Sequence, residues 1–152
     1  MAMILPKYII KRIFPTDAVS NVDMDEDGEP DHIQFKAFNI MMPISVSEIN
    51  SWNLRLETAG KMHIDGQELD PTLFIGYYDG RKFSIENFYD STDLVIPVGG
   101  RAKIFYPWPG GLAIGNHELK VSYSWQEFSG EVVVEREITP ELFCVPFSPD
   151  FD

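Results

Sequence analysis

The sequence predicts an all-β protein, an antiparallel β-sandwich of jelly-roll or immunoglobulin-like type with about seven to nine strands. Turn signals recur at short spacing, and no segment carries the sustained period of an amphipathic helix. The Asp-Gly pairs at 65–66 and 79–80 are typical of two-residue hairpin turns. Leu119, Val121 and Tyr123 alternate with polar residues, as expected for a strand with one buried face.

The sequence signals for the first elements of the chain differ in strength. Residues 7–14 are rich in β-branched and aromatic side chains and predict a strand that ends at a proline. The acidic residues 17–31 predict a connection, and the alternation in 33–37 predicts a strand. The short segment 45–50 has no clear pattern, whereas Leu54 and Leu56 alternate with charged residues and predict another strand.

The later elements follow the turn signals. Hairpins are predicted over 61–69 and 73–85, followed by a short helical turn over 86–90. Further strands are predicted at 102–106 and 131–138.

Residues 106–125 combine a strand end, a rigid loop, a turn and a new strand. Pro107 and Pro109 each lack a backbone donor, so a central strand cannot continue through them. Gly115 and Asn116 form a turn dipeptide, after which the alternating strand begins.

The predicted organisation is one sandwich domain over residues 1–138, followed by an apolar, proline-rich tail over residues 139–152. The tail is too apolar for a disordered terminus and too rich in proline for a strand within a sheet. Two interpretations stay open: the tail contacts a partner, or it caps the end of its own sandwich.

The net charge of −12 disfavours nucleic-acid binding and docking to anionic membranes, because it repels phosphate groups. No apolar run approaches the roughly 20 residues that span a bilayer. Residues 1–10 lack the features of a signal peptide. With Cys144 as the single cysteine, we expect a cytoplasmic protein without disulfides, and we expect Cys144 to be a small hydrophobe rather than a nucleophile.

The most specific local motif is the acidic run of residues 23–31, in which Asp23, Asp25, Asp27 and Asp31 surround a glycine. Carboxylates at this spacing in a tight loop supply the oxygen ligands that Ca²⁺ prefers. The twelfth loop position is Gln34 and not the glutamate of an EF-hand. We therefore expect a solvated acidic loop, with calcium binding as the alternative.

The histidines at 32, 63 and 117 show no metal-binding spacing. For His117 we expect a turn histidine whose ring bonds a nearby backbone carbonyl. No nucleophile elbow, phosphate-binding glycine loop or distinctive carboxylate pair occurs, so no catalytic constellation is predicted in this chain. Surplus apolar residues outside the predicted strands indicate a partner surface instead. Its expected members are Met41, Met42, Tyr106, Trp108, Phe143 and Phe147.

Three stretches, residues 64–71, 83–88 and 109–121, occur in the order and at the spacing of family motifs. Residues 109–121 are similar to the pattern P-G-G-L-x-x-G-x-H-x-V-x-V, and 64–71 to V-D-G-E-x-x-P. Together with the strand at 33–36, they resemble the small β subunit of bacterial C-glycoside deglycosidases. The resemblance covers roughly residues 22–134, and each motif alone is an ordinary β-turn signature.

The resemblance implies a β-sandwich subunit that pairs with a larger TIM-barrel α subunit, which carries a divalent metal, typically manganese. The complex would cleave the sugar–aryl C–C bond of a 3-oxo-C-glycoside by elimination, since the 3-keto group acidifies the proton at C2. The base and the metal ligands are expected in the α subunit, so this chain carries neither catalytic residues nor a cofactor.

The chain departs from the family pattern in its longer acidic loop, residues 23–31, and in the tail after residue 139. The alternative function is a free-standing carbohydrate-binding module, in which Tyr77, Tyr78 and Trp108 would stack on a sugar. A plain structural interaction module is a third interpretation.

Overall fold

Strands dominate the computed structural model, which describes residues 15–39 and 43–150. The described strands are β1 (Val19–Asp23), β2 (His32–Phe38), β3 (Ile44–Ser45), β4 (Gly60–Ile64), β5 (Gln67–Glu68), β6 (Ile75–Tyr78), β7 (Arg81–Ser84), β8 (Val95–Ile96), β9 (Arg101–Pro107), β10 (Gly115–Trp125), β11 (Phe128–Ile138) and β12 (Val145–Pro146). Three short helices accompany them: α1 (Val46–Ser51), α2 (Leu56–Ala59) and α3 (Ile85–Phe88). The predicted all-β, sandwich-like fold is confirmed.

Two larger sheets and one small one organise the described strands. The six-stranded sheet has the order β12-β1-β2-β9-β6-β7, and the four-stranded sheet has the order β11-β10-β4-β5. Strands β3 and β8 form a separate pair. All neighbours are antiparallel except β1 and β12, which run parallel.

The main core lies between the two larger sheets. Val19, Ile33 and Phe35 from the six-stranded sheet pack in one cluster with Ile64 and Leu119 from the four-stranded sheet. A second cluster, formed by Val46, Phe83 and Leu94, lies beside the helices. In this cluster, Val46 of α1 and Ile96 of β8 pack with Phe83 of β7, the outer strand of the six-stranded sheet.

Both predicted Asp-Gly hairpins are confirmed. Asp65 and Gly66 connect β4 to β5 with φ values of 49° and 84°, and Asp79 and Gly80 connect β6 to β7 with φ values of 50° and 78°. Two consecutive positive φ angles match the right-handed twist of the flanking strands, and this dipeptide adopts them at little cost. The short helix predicted near residue 86 is also present, as α3.

The predicted connection over residues 17–31 is wrong in its first part, because β1 runs through Val19–Asp23. Ser20 and Asn21 are buried in this strand, so the apolar–polar alternation that marks a strand is missing. The predicted strand at Leu54 and Leu56 is also wrong: Leu56 begins α2. The unassigned segment 45–50 forms α1, with the side chain of Ser45 as its N-cap.

Two further predictions are corrected near the end of the chain. Gly115 and Asn116 do not form a turn but pair in β10 with Ile138 and Glu137 of β11. In the tail, Val145 and Pro146 form β12, which pairs with β1. Pro146 is tolerated there because β12 is the outermost of the described strands in its sheet, where a missing N–H breaks no ladder between them. The strand predicted at residues 7–14 lies outside the described residues.

None of the helices in the described part of the chain has the length and hydrophobicity that crossing a bilayer requires.

Candidate functional site

The acidic loop after β1 brings its four aspartates together, as the sequence motif predicted. Asp23, Asp25, Asp27 and Asp31 each place one carboxylate oxygen within 4.8 Å of the others. The carboxylates also shape the loop, since Asp23 accepts hydrogen bonds from the backbone N–H groups of Asp27 (3.2 Å) and Gly28 (2.7 Å). The carboxylate oxygens of Asp23 therefore hold the backbone of the loop in place. A bound cation would share these oxygens with the N–H groups of Asp27 and Gly28.

The carboxylates in this loop have unequal pKa values. Partial desolvation and the neighbouring carboxylates of Asp23 and Asp31 raise the pKa of Asp25 to about 6. Desolvation also acts to raise the pKa of Asp31, but hydrogen bonds from His32 and from the N–H of Met24 outweigh it, so that pKa is lowered. The donor set suits a hard cation such as Ca²⁺, whose charge would remove the penalty on Asp25.

Cys144 lies beside this loop and is exposed, contrary to the expected buried or half-buried position. Its Sγ is 3.9 Å from the carbonyl oxygen of Gly28. Desolvation and the nearby carboxylates raise the pKa of this thiol, which disfavours the reactive thiolate.

The loop that follows β9 is fixed against β1 and the acidic loop. The N–H of Trp108 donates to the carbonyl of Asp31 (2.9 Å), and that of Gly110 donates to Pro30 (3.0 Å). The buried side chain of Asn21 accepts a hydrogen bond from the N–H of Leu112 (2.7 Å) and donates one to its carbonyl (2.8 Å). The predicted rigid loop is thus held by backbone contacts and not by its prolines alone.

The aromatic residues predicted for a partner surface mostly contact this chain. Tyr106 is a core residue, 6% exposed, and its hydroxyl accepts a hydrogen bond from the N–H of Asp70 (2.9 Å). Trp108 is half-buried and packs against the main core. The ring of Tyr106 is therefore not accessible to a partner, whereas the ring of Trp108 is partly accessible. Met41 and Met42 lie outside the described residues.

The tail covers its own sheet. Phe143 packs against the main core, and the ring of Phe147 meets the edges of Phe105 and Tyr77 at centroid distances of 5.4 and 5.6 Å. The Nζ of Lys103 donates to the carbonyl of Ser148 (3.0 Å). These contacts favour the capping interpretation of the tail over partner contact.

The ring of His117 contacts a backbone carbonyl as predicted, but the residue lies within β10 and not in a turn, and the ring has a second partner. Its Nε2 is 2.7 Å from the carbonyl oxygen of Ala113, and its Nδ1 is 2.6 Å from a carboxylate oxygen of Asp65. Burial alone would lower the pKa of His117, but these two acceptors outweigh it and raise the pKa. The ring therefore ties the β4–β5 turn to β10 as an ion pair, a structural role.

An apolar cleft was not predicted from the sequence. It has a volume of about 410 Å³, with Phe35, Met62, Leu69, Phe74 and Val121 among its lining residues. An adjoining hollow of about 180 Å³ shares Leu56, Phe74, Ile85 and Ile104 with it and reaches Phe83 and Leu94 of the second core cluster. We call the two together the seam cleft, because they lie where the two core clusters meet.

A polar network fixes α2 at the mouth of the seam cleft. The hydroxyl of Tyr89 donates a hydrogen bond to the carboxylate of Glu57 and accepts one from the N–H of Leu56 (2.8 Å). The guanidinium of Arg55 lies 4.3 Å from the centre of the Tyr89 ring. Desolvation and the Glu57 carboxylate raise the pKa of Tyr89 to about 12, so this hydroxyl stays a donor.

No protein-family model matches this sequence, and a search of curated proteins finds no match either.

Proposed function

We propose that this chain is the small, non-catalytic β subunit of a C-glycoside deglycosidase complex. In the proposed reaction, the sugar–aryl C–C bond of a 3-oxo-C-glycoside is cleaved by elimination. The active site lies mainly in a larger TIM-barrel α subunit, which also holds the divalent metal, with manganese expected. The role of this chain is to bind and stabilise that subunit.

The observation that carries the proposal is the open apolar surface at the seam cleft. Leu56 lines the cleft and is 42% exposed, and Leu73, the chain neighbour of the lining residue Phe74, is 45% exposed. The floor of the cleft consists of core residues. A chain that functions alone gains nothing from leaving such surface in water, whereas a subunit buries it on assembly. The motifs at 64–71 and 109–121 support the family assignment.

The residues first expected at the interface fit this proposal to different degrees. Trp108, Phe143 and Phe147 are half-buried and have exposed edges that are available for contact. Tyr106 is set aside because it is buried. Since these aromatic residues are buried or only partly accessible, we place the centre of the proposed interface at the seam cleft and not at the loop after β9.

Co-expression tests the proposal. Expressed alone, the chain is expected to give little soluble protein, because its apolar surface is uncovered. Co-expression with a metal-dependent TIM-barrel subunit is expected to restore solubility, to give one species by size exclusion and to cleave a 3-oxo-C-glycoside. A TIM-barrel subunit that is fully stable and active without this chain would refute the proposed role.

A second candidate function, a free-standing carbohydrate-binding module, is favoured by a different pocket. This pocket has a volume of about 500 Å³ and is lined by Tyr77, Tyr78, Asp79, Arg101 and Asp150 among others. Tyrosine rings with nearby charged groups suit a hydroxylated ligand. Against it, the ring of Tyr77 packs against the rings of both Phe105 and Phe147. Calorimetric titration with free hexoses separates the two functions, since only the module is expected to bind sugar without the larger subunit.

A further inference from the structure

We propose that the seam cleft docks a basic segment of the larger subunit, with one large apolar side chain of that segment inserted in the cleft. The inference rests on the proposed function and names the surface and the chemistry of the contact. Three features of the described residues carry it: an apolar interior, an acidic rim and a mouth that is held open.

The interior is built to receive an apolar group. Met62 and Phe74 are half-buried at the edge of the main core, and the fully packed residues Phe35 and Leu69 form the floor. Interface residues that dominate binding fill desolvated pockets of this kind, surrounded by contacts that exclude water. Exposed Leu56 lines the cleft, and exposed Leu73 is the chain neighbour of the lining residue Phe74, so the two add apolar surface beside the interior.

The charges at the mouth select a basic partner. Glu57 and Glu68 line the cleft directly, and exposed Asp70 and Glu86 are the chain neighbours of lining residues. Among the described lining residues, Lys61 is the one basic residue, and its Nζ lies 3.7 Å from a carboxylate oxygen of Glu68. Arg55, the chain neighbour of Leu56, adds a second positive charge near the mouth, so the carboxylates remain in excess. An excess of carboxylates around an apolar pocket attracts Lys or Arg flanking an apolar anchor.

The same charges argue against other occupants. A second copy of this chain carries a net charge of −12 and would bring the same acidic rim to the contact. Anionic lipid is disfavoured for the same reason.

The mouth is held open before binding. The Tyr89 hydroxyl fixes α2 through Glu57 and the Leu56 N–H, and the side-chain amide of Asn50 donates to the Tyr89 carbonyl (2.9 Å). A rim ordered in advance loses little conformational entropy on docking, which favours its use as a binding surface.

The first test uses the complex of this chain with the larger subunit. Leu56→Asp is compared with Val133→Asp, since Val133 is similarly exposed (50%) but lies on β11, away from the cleft. We expect Leu56→Asp to weaken the affinity at least about tenfold and Val133→Asp to leave it within about twofold. Leu73→Asp is the second cleft variant, in case Leu56→Asp disturbs α2, and circular dichroism checks the fold of each.

A charge-reversal pair tests the acidic rim. Glu68→Lys is expected to slow association at low salt and to reduce the salt dependence of binding. Glu135→Lys makes the same charge change on exposed β11 and is expected to have a smaller effect. If both cleft variants bind like the wild type, or if the β11 variants have the larger effects, the inference is overturned while the proposed function stands.

A second test needs no larger subunit. The fraction of the isolated chain that stays soluble at low protein concentration is titrated with two hexapeptides, one with a Leu-Phe pair between four lysines and one with the same pair between four glutamates. The methyl NMR signal of Met62 is expected to shift with the lysine peptide and to return with added salt, but not to respond to the glutamate peptide. Equal responses, or shifts confined to other residues, would contradict the inference. Failure of the wild-type chain to bind any TIM-barrel subunit would instead refute the proposed function.

Discussion

The side chain of Asn21 pairs with the backbone of Leu112 in the way that a neighbouring strand would. The amide oxygen accepts the Leu112 N–H at 2.7 Å, and the amide nitrogen donates to the Leu112 carbonyl at 2.8 Å. Asn21 is fully buried, so both groups are shielded from water. The contact joins β1 to the loop between β9 and β10. The Asn21 side chain supplies hydrogen-bond partners for the N–H and the carbonyl of Leu112, a residue outside the strands.

Asn21→Ala is expected to lower the free energy of unfolding by about 2–4 kcal/mol, because each buried backbone group left without a partner costs about 1–3 kcal/mol. Urea denaturation followed by tryptophan fluorescence measures this loss. Asn116→Ala, at an exposed position of β10, is the control and is expected to change stability by less than about 0.5 kcal/mol. Similar losses in the two variants would contradict the structural role of Asn21.

Adjacent glycines in the same loop provide a matched comparison. Gly110 and Gly111 have φ values of 80° and 72°, so alanine at either position costs about 1–2 kcal/mol of backbone strain. An added Cβ on Gly110 meets no atom within 4 Å, whereas one on Gly111 would lie 2.6 Å from the Asn21 side chain. Gly111→Ala is therefore expected to cost at least about 1 kcal/mol more than Gly110→Ala. Equal melting temperatures for the two variants would exclude this close approach.

The His117–Asp65 pair predicts a pH window. The pKa of His117 is raised, so its contribution is complete below about pH 6.5 and is lost as the pH rises through the raised value. Burial acts to raise the pKa of Asp65, but hydrogen bonds from His117 and the Glu118 N–H lower it. The contribution of Asp65 is therefore present above about pH 3.9 and is lost as the pH falls through the lowered value.

Asp65→Asn is accordingly expected to destabilise the chain most between about pH 4 and pH 6.5. Asp65 is half-exposed, with 48% of its side chain accessible, so the loss is expected to stay below about 1 kcal/mol. Urea midpoints at pH 5 and pH 9 measure the difference. If Asp65→Asn destabilised the chain more at pH 9 than at pH 5, the result would contradict a stabilising ion pair between Asp65 and His117.

The pH dependence expected for Asp25 is opposite to that of Asp65. Its pKa is raised to about 6, so the folded state is destabilised relative to the unfolded one as the pH rises from about 4 through 6. In the absence of divalent cations, Asp25→Asn is expected to raise the melting temperature at pH 8 but not at pH 4. Glu29→Gln removes one charge from the same loop and is expected to give the smaller gain. Added calcium distinguishes the two interpretations of the loop, because a calcium site would stabilise the wild type and lose that response in Asp25→Asn.

The elements that were predicted correctly are specified by a few neighbouring residues. An Asp-Gly pair between two strand-forming segments adopts two positive φ angles at little cost, so both hairpins follow from the local sequence. The acidic loop is similar, since the spacing of its aspartates already places their carboxylates on one side of a turn. The contact of the His117 ring with the carbonyl oxygen of Ala113 is also local, since the two residues are four positions apart.

The elements that were missed depend on contacts far away in the sequence. β1 contains buried Ser20 and Asn21, and Asn21 is satisfied only by Leu112. One local signal for α1 was available, because Ser45 followed by Glu48 is a typical helix start, and the Ser45 hydroxyl does accept the Glu48 N–H. The seam cleft was beyond sequence reasoning, because it forms where residues of β4, α2 and α3 meet.

The pairing of β12 with β1 also bears on synthesis of the chain. Val22 pairs with Val145, so β1 leaves the ribosome long before the strand that covers its outer edge. During that interval the backbone groups of β1 are open to strands of neighbouring nascent chains. β12 contains Pro146, which lacks the N–H that a further strand would need. Once β12 has paired with β1, this edge of the sheet is therefore a poor template for pairing with another chain.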